Sequence, residues 1–246
     1  MRLRFGKPKP GHHRDPDFPA MDPTGYREVL DRFEALTSPD WYLEVGSRNG
    51  SSLTTRKCSF IAIDPVFAPR FPILGPGRQM HFMQMESDTF FTSGFLARTG
   101  ISPDFAFIDG MHQFEFALRD FINCEAAMRR DGHIFLHDVA PFNHTMTTRD
   151  PAYMGEGRPW TGDVWKVIAI LREFRPDLSA RIITAHSTGL GCVSNLDPTN
   201  STLLSNYDAI LARFTNLSLA DYGTGRLFDP VGCISPEDFL SRFARA

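Results

Sequence analysis

With 246 residues, 42% of them hydrophobic and 22% charged, the chain has the size and makeup of one α/β domain with additions. A formal net charge of −3 excludes a polyanion binder by charge alone, and no apolar run is long enough to span a membrane. Cys58, Cys124, Cys192 and Cys233 are too scattered for a disulfide framework or a zinc site, so a reducing, cytoplasmic setting is expected.

The chain opens with a basic stretch holding Arg2, Arg4, Lys7, Lys9 and Arg14, with no acid before Asp15. Pro and Gly follow rather than an apolar run, so no signal peptide is read there. Residues 1–23 are expected to form a flexible tail, with an arm onto a partner subunit or an anionic ligand as the sharper alternative. Residues 24–38 predict a helix, with Tyr26, Val29, Leu30, Phe33 and Leu36 at 3–4 spacing and Pro39 ending it.

Strands and helices then alternate. WYLEV (41–45), SFIAID (59–64), MHFMQM (80–85), DFAFID (104–109) and HIFLHD (133–138) read as strands. Helices are expected at 51–57, at 87–100 with Ser87 as N-cap, at 115–132 with Phe116, Leu118, Phe121, Ile122 and Met128 inward, and at 161–176. ARIITAH (180–186) and GLGCVSN (189–195) read as a closing hairpin. This predicts an α/β Rossmann-like fold, a seven-stranded mostly parallel sheet with an antiparallel final hairpin and helices on both faces. The domain is set at 24–196. Residues 197–246 are expected to form a mainly helical appendage that either covers the site or makes a contact in a homo-oligomer.

In an open parallel sheet, ligands bind beyond the carboxyl ends of the strands. The strand exits carry Glu44, Gly46, Ser47, Arg48 and Gly50, then Asp64, then Ser87 and Asp88, then Asp109 and His112, then His137 and Asp138. The glycine turn lets backbone approach a ligand. Asp64 lies 18 residues after Gly46, where an acid can accept both hydroxyls of a ribose. Two carboxylates brought together by neighbouring strands need a proton or a cation between them.

The ordered set YLEVGSRNGSSL, FIAIDP, FIDGMHQFEFALRDF, MRRDGHIFLHDVAP and GRPWTGDVWKVIAILREFRPDL resembles class I S-adenosylmethionine-dependent methyltransferases. It is nearest the branch of small-molecule O-methyltransferase and cephalosporin-hydroxylase-like domains, over about residues 41–195. The resemblance implies that Glu44, Gly46, Ser47, Gly50, Asp64, Ser87, Asp88 and Asp109 bind S-adenosylmethionine. Arg48 stands where the family has its middle glycine, and would place a positive group near the cofactor carboxylate. The resemblance also implies a divalent ion, Mg²⁺ or Mn²⁺, on Asp109, His137 and Asp138; His137 replaces an acid there, and an imidazole suits Mn²⁺, Fe²⁺ or Zn²⁺ better, or no metal at all. His112 stands where catechol-type enzymes carry a lysine base, and is the expected general base beside Asp109; an unperturbed imidazole is neutral near pH 7. Asn143 and His144 are expected to line the acceptor pocket, whereas Trp160, Asp163, Trp165 and Lys166 gain no role from sequence.

The expected reaction is O-methylation of a small hydroxylated acceptor, a sugar or a secondary metabolite. No NPPY-like segment or basic aromatic stripe points to nucleic acid. A nicotinamide-dependent Rossmann oxidoreductase would share the glycine turn and ribose acid but leaves the closing hairpin unexplained. A metal-dependent hydrolase would leave the glycine turn and Asp64 unused. A non-catalytic cofactor-binding partner is the remaining alternative.

Overall fold

The computed structural model describes residues 13–229 and 231–244. The strands are β1 (Trp41–Val45), β2 (Ser59–Ile63), β3 (Met80–Met83), β4 (Phe105–Ile108), β5 (His133–His137), β6 (Ser179–Ile183), β7 (Leu190–Ser194) and β8 (Cys233–Ile234). The helices are α1 (Tyr26–Thr37), α2 (Ser87–Thr92), α3 (Phe95–Thr99), α4 (Phe114–Ala127), α5 (Trp165–Phe174), α6 (Thr202–Ser205), α7 (Tyr207–Phe214), α8 (Leu219–Tyr222), α9 (Thr224–Leu227) and α10 (Pro236–Ser241). Among the described residues no helix is long and apolar enough to cross a membrane.

The eight strands lie in the order β3-β2-β1-β4-β5-β7-β6-β8, parallel except for β7. Alternation along each strand divides the core. Leu43, Val45, Ile61, Ile63, Ala106, Ile108, Ile134 and Leu136 face one cluster with α4 and α5. Tyr42, Phe60, Ala62, Phe105, Phe107 and Phe135 face the other with Val29, Leu30 and Phe33 of α1. Burial on both faces explains why these strands read as nearly unbroken apolar runs. Each buried aromatic contributes about 2–3 kcal/mol.

Several expectations are corrected. An eighth strand pairs Cys233 with Ile182 and covers the edge that β6 would otherwise expose. Residues 51–55 form turns, not a helix, because Ser and Thr side chains compete for local bonds: Thr54 Oγ1 donates to Ser51 O, and Ser52 Oγ donates to Glu44 Oε1. The helix expected at 87–100 breaks at Gly94, which sits at φ 71 and begins α3. Ser87 is the first helical residue rather than the cap. On α4 the buried face is Phe114, Ala117, Leu118, Phe121 and Cys124, while Phe116 and Ile122 are half-buried.

Arg2, Arg4, Lys7 and Lys9 of the expected tail lie outside the described residues. From His13 onward the tail is tied to the body. Asp15 N–H donates to Phe142 O at 3.0 Å, Asn143 Nδ2 donates to His13 O at 2.9 Å, and Phe18 is buried in the core. Residues after 196 pack on both faces: Leu203, Ile210 and Phe214 join the α4–α5 side, and Phe239 and Leu240 join the α1 side.

A buried ion pair locks α4 to the end of α5. Arg175 grips Glu125 through two bonds of 2.7 and 2.9 Å, and Glu125 also accepts the Asp197 N–H at 3.0 Å. Both side chains are within 4% of full burial. Arg175→Met would leave the Glu125 charge buried without its cation, at a cost of about 3–5 kcal/mol. Urea denaturation should show this loss as a lowered midpoint; an unchanged midpoint would mean that water reaches Glu125.

Candidate active site at the carboxyl rim of the sheet

Strand register builds the site. Val45 is level with Ile63 and with Ile108, and Ile108 is level with Leu136. The next residues of these strands, Gly46, Asp64, Asp109 and His137, therefore form one row along the rim. The row crosses the point between β1 and β4 where strand order reverses, the place for ligands in such sheets.

Gly46 has φ +93, and a Cβ there would lie 2.1 Å from Asp109 O. Only glycine lets the β1 turn press against the β4 exit. Gly50, at φ +76, packs instead against the end of the Ile73 side chain, which can shift. Asp64 Oδ2 accepts the Arg48 N–H at 2.9 Å and Oδ1 accepts the Val66 N–H at 2.7 Å. This ties the two turns together and leaves each oxygen a lone pair for a ribose hydroxyl. A ribose would fit these two acceptor oxygens.

Glu44 faces inward. Its carboxylate accepts from the hydroxyls of Tyr42 and Ser52, and burial pushes its pKa up. Ser47 is buried too, its hydroxyl on Glu44 O. These two shape the turn from beneath. Asp88 pairs with Arg119 at 2.9 Å. Ser87 bonds Asp120, an acid on the buried face of α4 whose pKa burial raises to about 6. Asp120 was missed from sequence, although a carboxylate amid Ala117, Phe121 and Cys124 was the signal.

The fourth and fifth exits converge. His137 Nδ1 lies 3.2 Å from Asp109 Oδ1 and 3.3 Å from Asp138 Oδ2. Asp109, His137 and Asp138 each offer a ligand atom, all within 4.8 Å of one another. Asp138 adopts φ 59, a left-handed conformation that a side-chain-bearing residue keeps only when its surroundings require it. Two carboxylates with one imidazole suit Mn²⁺, Fe²⁺ or Zn²⁺ better than Mg²⁺, which favours oxygens throughout. The residues fit such an ion, provided His137 is neutral, so metal and proton compete for the cluster.

His112 closes it. Its Nδ1 lies 3.0 Å from Trp160 O and 3.3 Å from Asp138 Oδ2, and its Nε2 lies 3.7 Å from Asp109 Oδ1. A carbonyl only accepts, so Nδ1 carries the hydrogen and Nε2 is the nitrogen that exchanges its proton. Burial alone would lower the His112 pKa, but the Asp109 carboxylate 3.7 Å from Nε2, the Asp138 charge and the bond to Trp160 O raise it to about 9. The expectation of a neutral imidazole at pH 7 is corrected: beside two bare carboxylates the ring is charged. For His137, burial is likewise outweighed by Asp138 and Asp109, and its pKa rises. For Asp109, burial is outweighed by His137 and His112, and its pKa falls below the ordinary carboxylate range. The Tyr26 ring stacks at a tilt on His137, 4.1 Å between centroids, and walls the cluster on the α1 side.

Asn143 and His144, expected at an acceptor pocket, are held by local contacts. Asn143 is fully buried and accepts the Met146 N–H at 2.9 Å, while His144 turns to Asp17 at 3.1 Å.

Residues 43–139 match a family model described as a methyltransferase domain. No curated protein matches the chain. Among solved structures, cofactor-bound Rv0187 from MTB is 14% identical with a TM-score of 0.48, over 74% of this chain and 84% of that one. The O-methyltransferase TomG from Streptomyces achromogenes, involved in tomaymycin synthesis and in complex with SAM, is 15% identical with a TM-score of 0.46, over 68% of this chain and 78% of that one. The SAH-bound Podospora anserina methyltransferase PaMTH1 is 17% identical with a TM-score of 0.46, over 68% and 77%. The matched segment runs from β1 to just past β5, the strands whose exits form the rim, and over it the chain is similar to methyltransferase domains.

Proposed function

We propose that the protein transfers a methyl group from S-adenosylmethionine to a hydroxyl of a small acceptor, a sugar or a secondary metabolite, aided by a divalent ion on Asp109, His137 and Asp138. The observation that carries this reading is the convergence of those three residues with His112 beside the Gly46 turn. S-adenosylmethionine supplies an electrophilic methyl on sulfur and leaves as S-adenosylhomocysteine; a divalent ion supplies positive charge for an acceptor oxygen. The chain's own residues do the rest. Asp64 holds the ribose. Gly46 keeps the β1 turn close to Asp109. The acceptor oxygen forms its bond to the methyl carbon as its proton passes to His112 Nε2. That nitrogen must first be free of its own proton, which requires the carboxylate charge around it to be offset. Four free cysteines support a reducing, cytoplasmic setting.

Calorimetric titration with S-adenosylhomocysteine, with and without Mn²⁺, tests the reading, with NAD as control. Binding of the sulfur nucleotide and not of NAD is expected. Asp64→Ala should weaken it by about tenfold to a hundredfold, the worth of charge-assisted hydrogen bonds to the ribose. Equal affinity in the variant would place the ribose elsewhere, and binding of NAD alone would replace the reading with an oxidoreductase. Mn²⁺ that neither binds nor alters the titration would remove the ion from it.

A further inference from the structure

The segment from Trp160 to Asp163 holds His112 from several sides. Trp160 O takes the Nδ1 hydrogen at 3.0 Å, and the Trp160 ring stacks on the imidazole with centroids 5.0 Å apart. Gly162, at φ +53, lies so close that a Cβ would sit 1.7 Å from His112 O. Asp163 N–H donates to that same carbonyl at 3.2 Å. Asp163 Oδ1 accepts the Phe114 N–H at 2.9 Å, so its one residue bonds the backbone on both sides of Gln113. The other oxygen, Oδ2, accepts from Arg149 at 2.6 Å and Lys166 Nζ at 2.8 Å, and the Asp163 side chain is 2% exposed.

A stability role alone would need the ion pairs only. The oxygen turned to the Phe114 amide and the glycine packed on the His112 carbonyl have another effect. They fix where the loop leaves β4 and how its imidazole points. We propose that Asp163 is the positioning residue of His112, and that residues 160–163 form the clamp that aims Nε2 at the rim. The assignment rests on His112 being the group that meets the acceptor, but its test needs no acceptor. Asparagine at 163 keeps a carbonyl oxygen for the Phe114 N–H while losing the charge. Alanine loses both. Lys166→Met removes an ion-pair partner and leaves the clamp.

The experiment uses the full chain with ring-¹⁵N-labelled histidine. Hydrogen–deuterium exchange is read at the Phe114 amide, and the His112 ring resonance is followed by NMR. Asp163→Ala should speed exchange at Phe114 by about tenfold to a hundredfold. It should also broaden or shift the His112 Nδ1 signal. Asp163→Asn should restore both toward the wild type, and Lys166→Met should lower the melting temperature and move neither. If Asp163→Ala does not fold, the Asp163→Leu/Lys166→Met double variant, which removes both ends of the buried pair together, takes its place with the same expected shifts. Asparagine behaving like alanine, Lys166→Met moving the His112 signal equally, or an unmoved His112 signal would each overturn the proposal. S-adenosylhomocysteine binding to the wild type, measured separately, reports on the proposed function, so the two ideas fail independently.

Discussion

Asp109→Asn is expected to bring the titration of His112 down from about 9 toward its ordinary value of 6.5. The variant removes the Asp109 charge that opposes burial, and leaves Asp138 as the carboxylate beside the ring, with the Trp160 carbonyl still on Nδ1. The same contact makes stability depend on pH. A histidine whose pKa is raised on folding stabilises the protein fully below 6.5, and that stabilisation is lost as pH rises through about 9. Its size is on the order of 3 kcal/mol, counted once because Asp109 shares the contact. Asp109, lowered on folding, acts with the opposite sign: its contribution is present above 3.8 and is lost as pH falls through its lower folded value. Methyl transfer that uses Nε2 as base would rise over the same interval as the His112 stabilisation is lost. Histidine NMR titration, assigned with His112→Gln, together with urea denaturation between pH 6 and 10, checks this. A wild-type His112 that titrates near 6.5 would show that the two carboxylates do not act on it as their distances require.

The second large effect is Gly46→Ala. The new methyl would meet Asp109 O at 2.1 Å, on a backbone at φ +93 that alanine adopts only with strain. Backbone cannot swing aside as the end of a side chain can, so β1 and β4 would have to part at the rim. A loss of about 4 kcal/mol or more is expected. Gly77 supplies the comparison: it has φ +81 with nothing within 4 Å of the added carbon, so Gly77→Ala should cost only the left-handed backbone, about 1–2 kcal/mol. Chemical denaturation of both variants separates the terms. Equal losses would show that strain, not the approach to Asp109, is what Gly46 relieves.

The legible parts of the sequence were those where one local rule dominates. Apolar runs such as FIAI and FAFI lie in the sheet because burial on both faces demands them. The acids after them were placed correctly at the rim. The turn after Gly50 was misread, since hydroxyl side chains at Ser52 and Thr54 outbid a weak helical pattern. Strand β8 gave no local signal, because two residues pair only where β6 offers an open edge.

By itself the sequence determined the alternation of strands and helices, the glycine turn, and the positions of Asp64, Asp109, His112, His137 and Asp138 along the chain. Each follows from side-chain chemistry within a few residues. The tertiary structure alone decided that His112 stands between two carboxylates and is charged, that Glu44 turns inward, that Asn143 is buried, and that Asp163, 51 residues after His112, holds its loop. Charge state and orientation depend on what folding brings within about 4 Å, and Coulomb and hydrogen-bond energies are set by that distance rather than by separation along the chain.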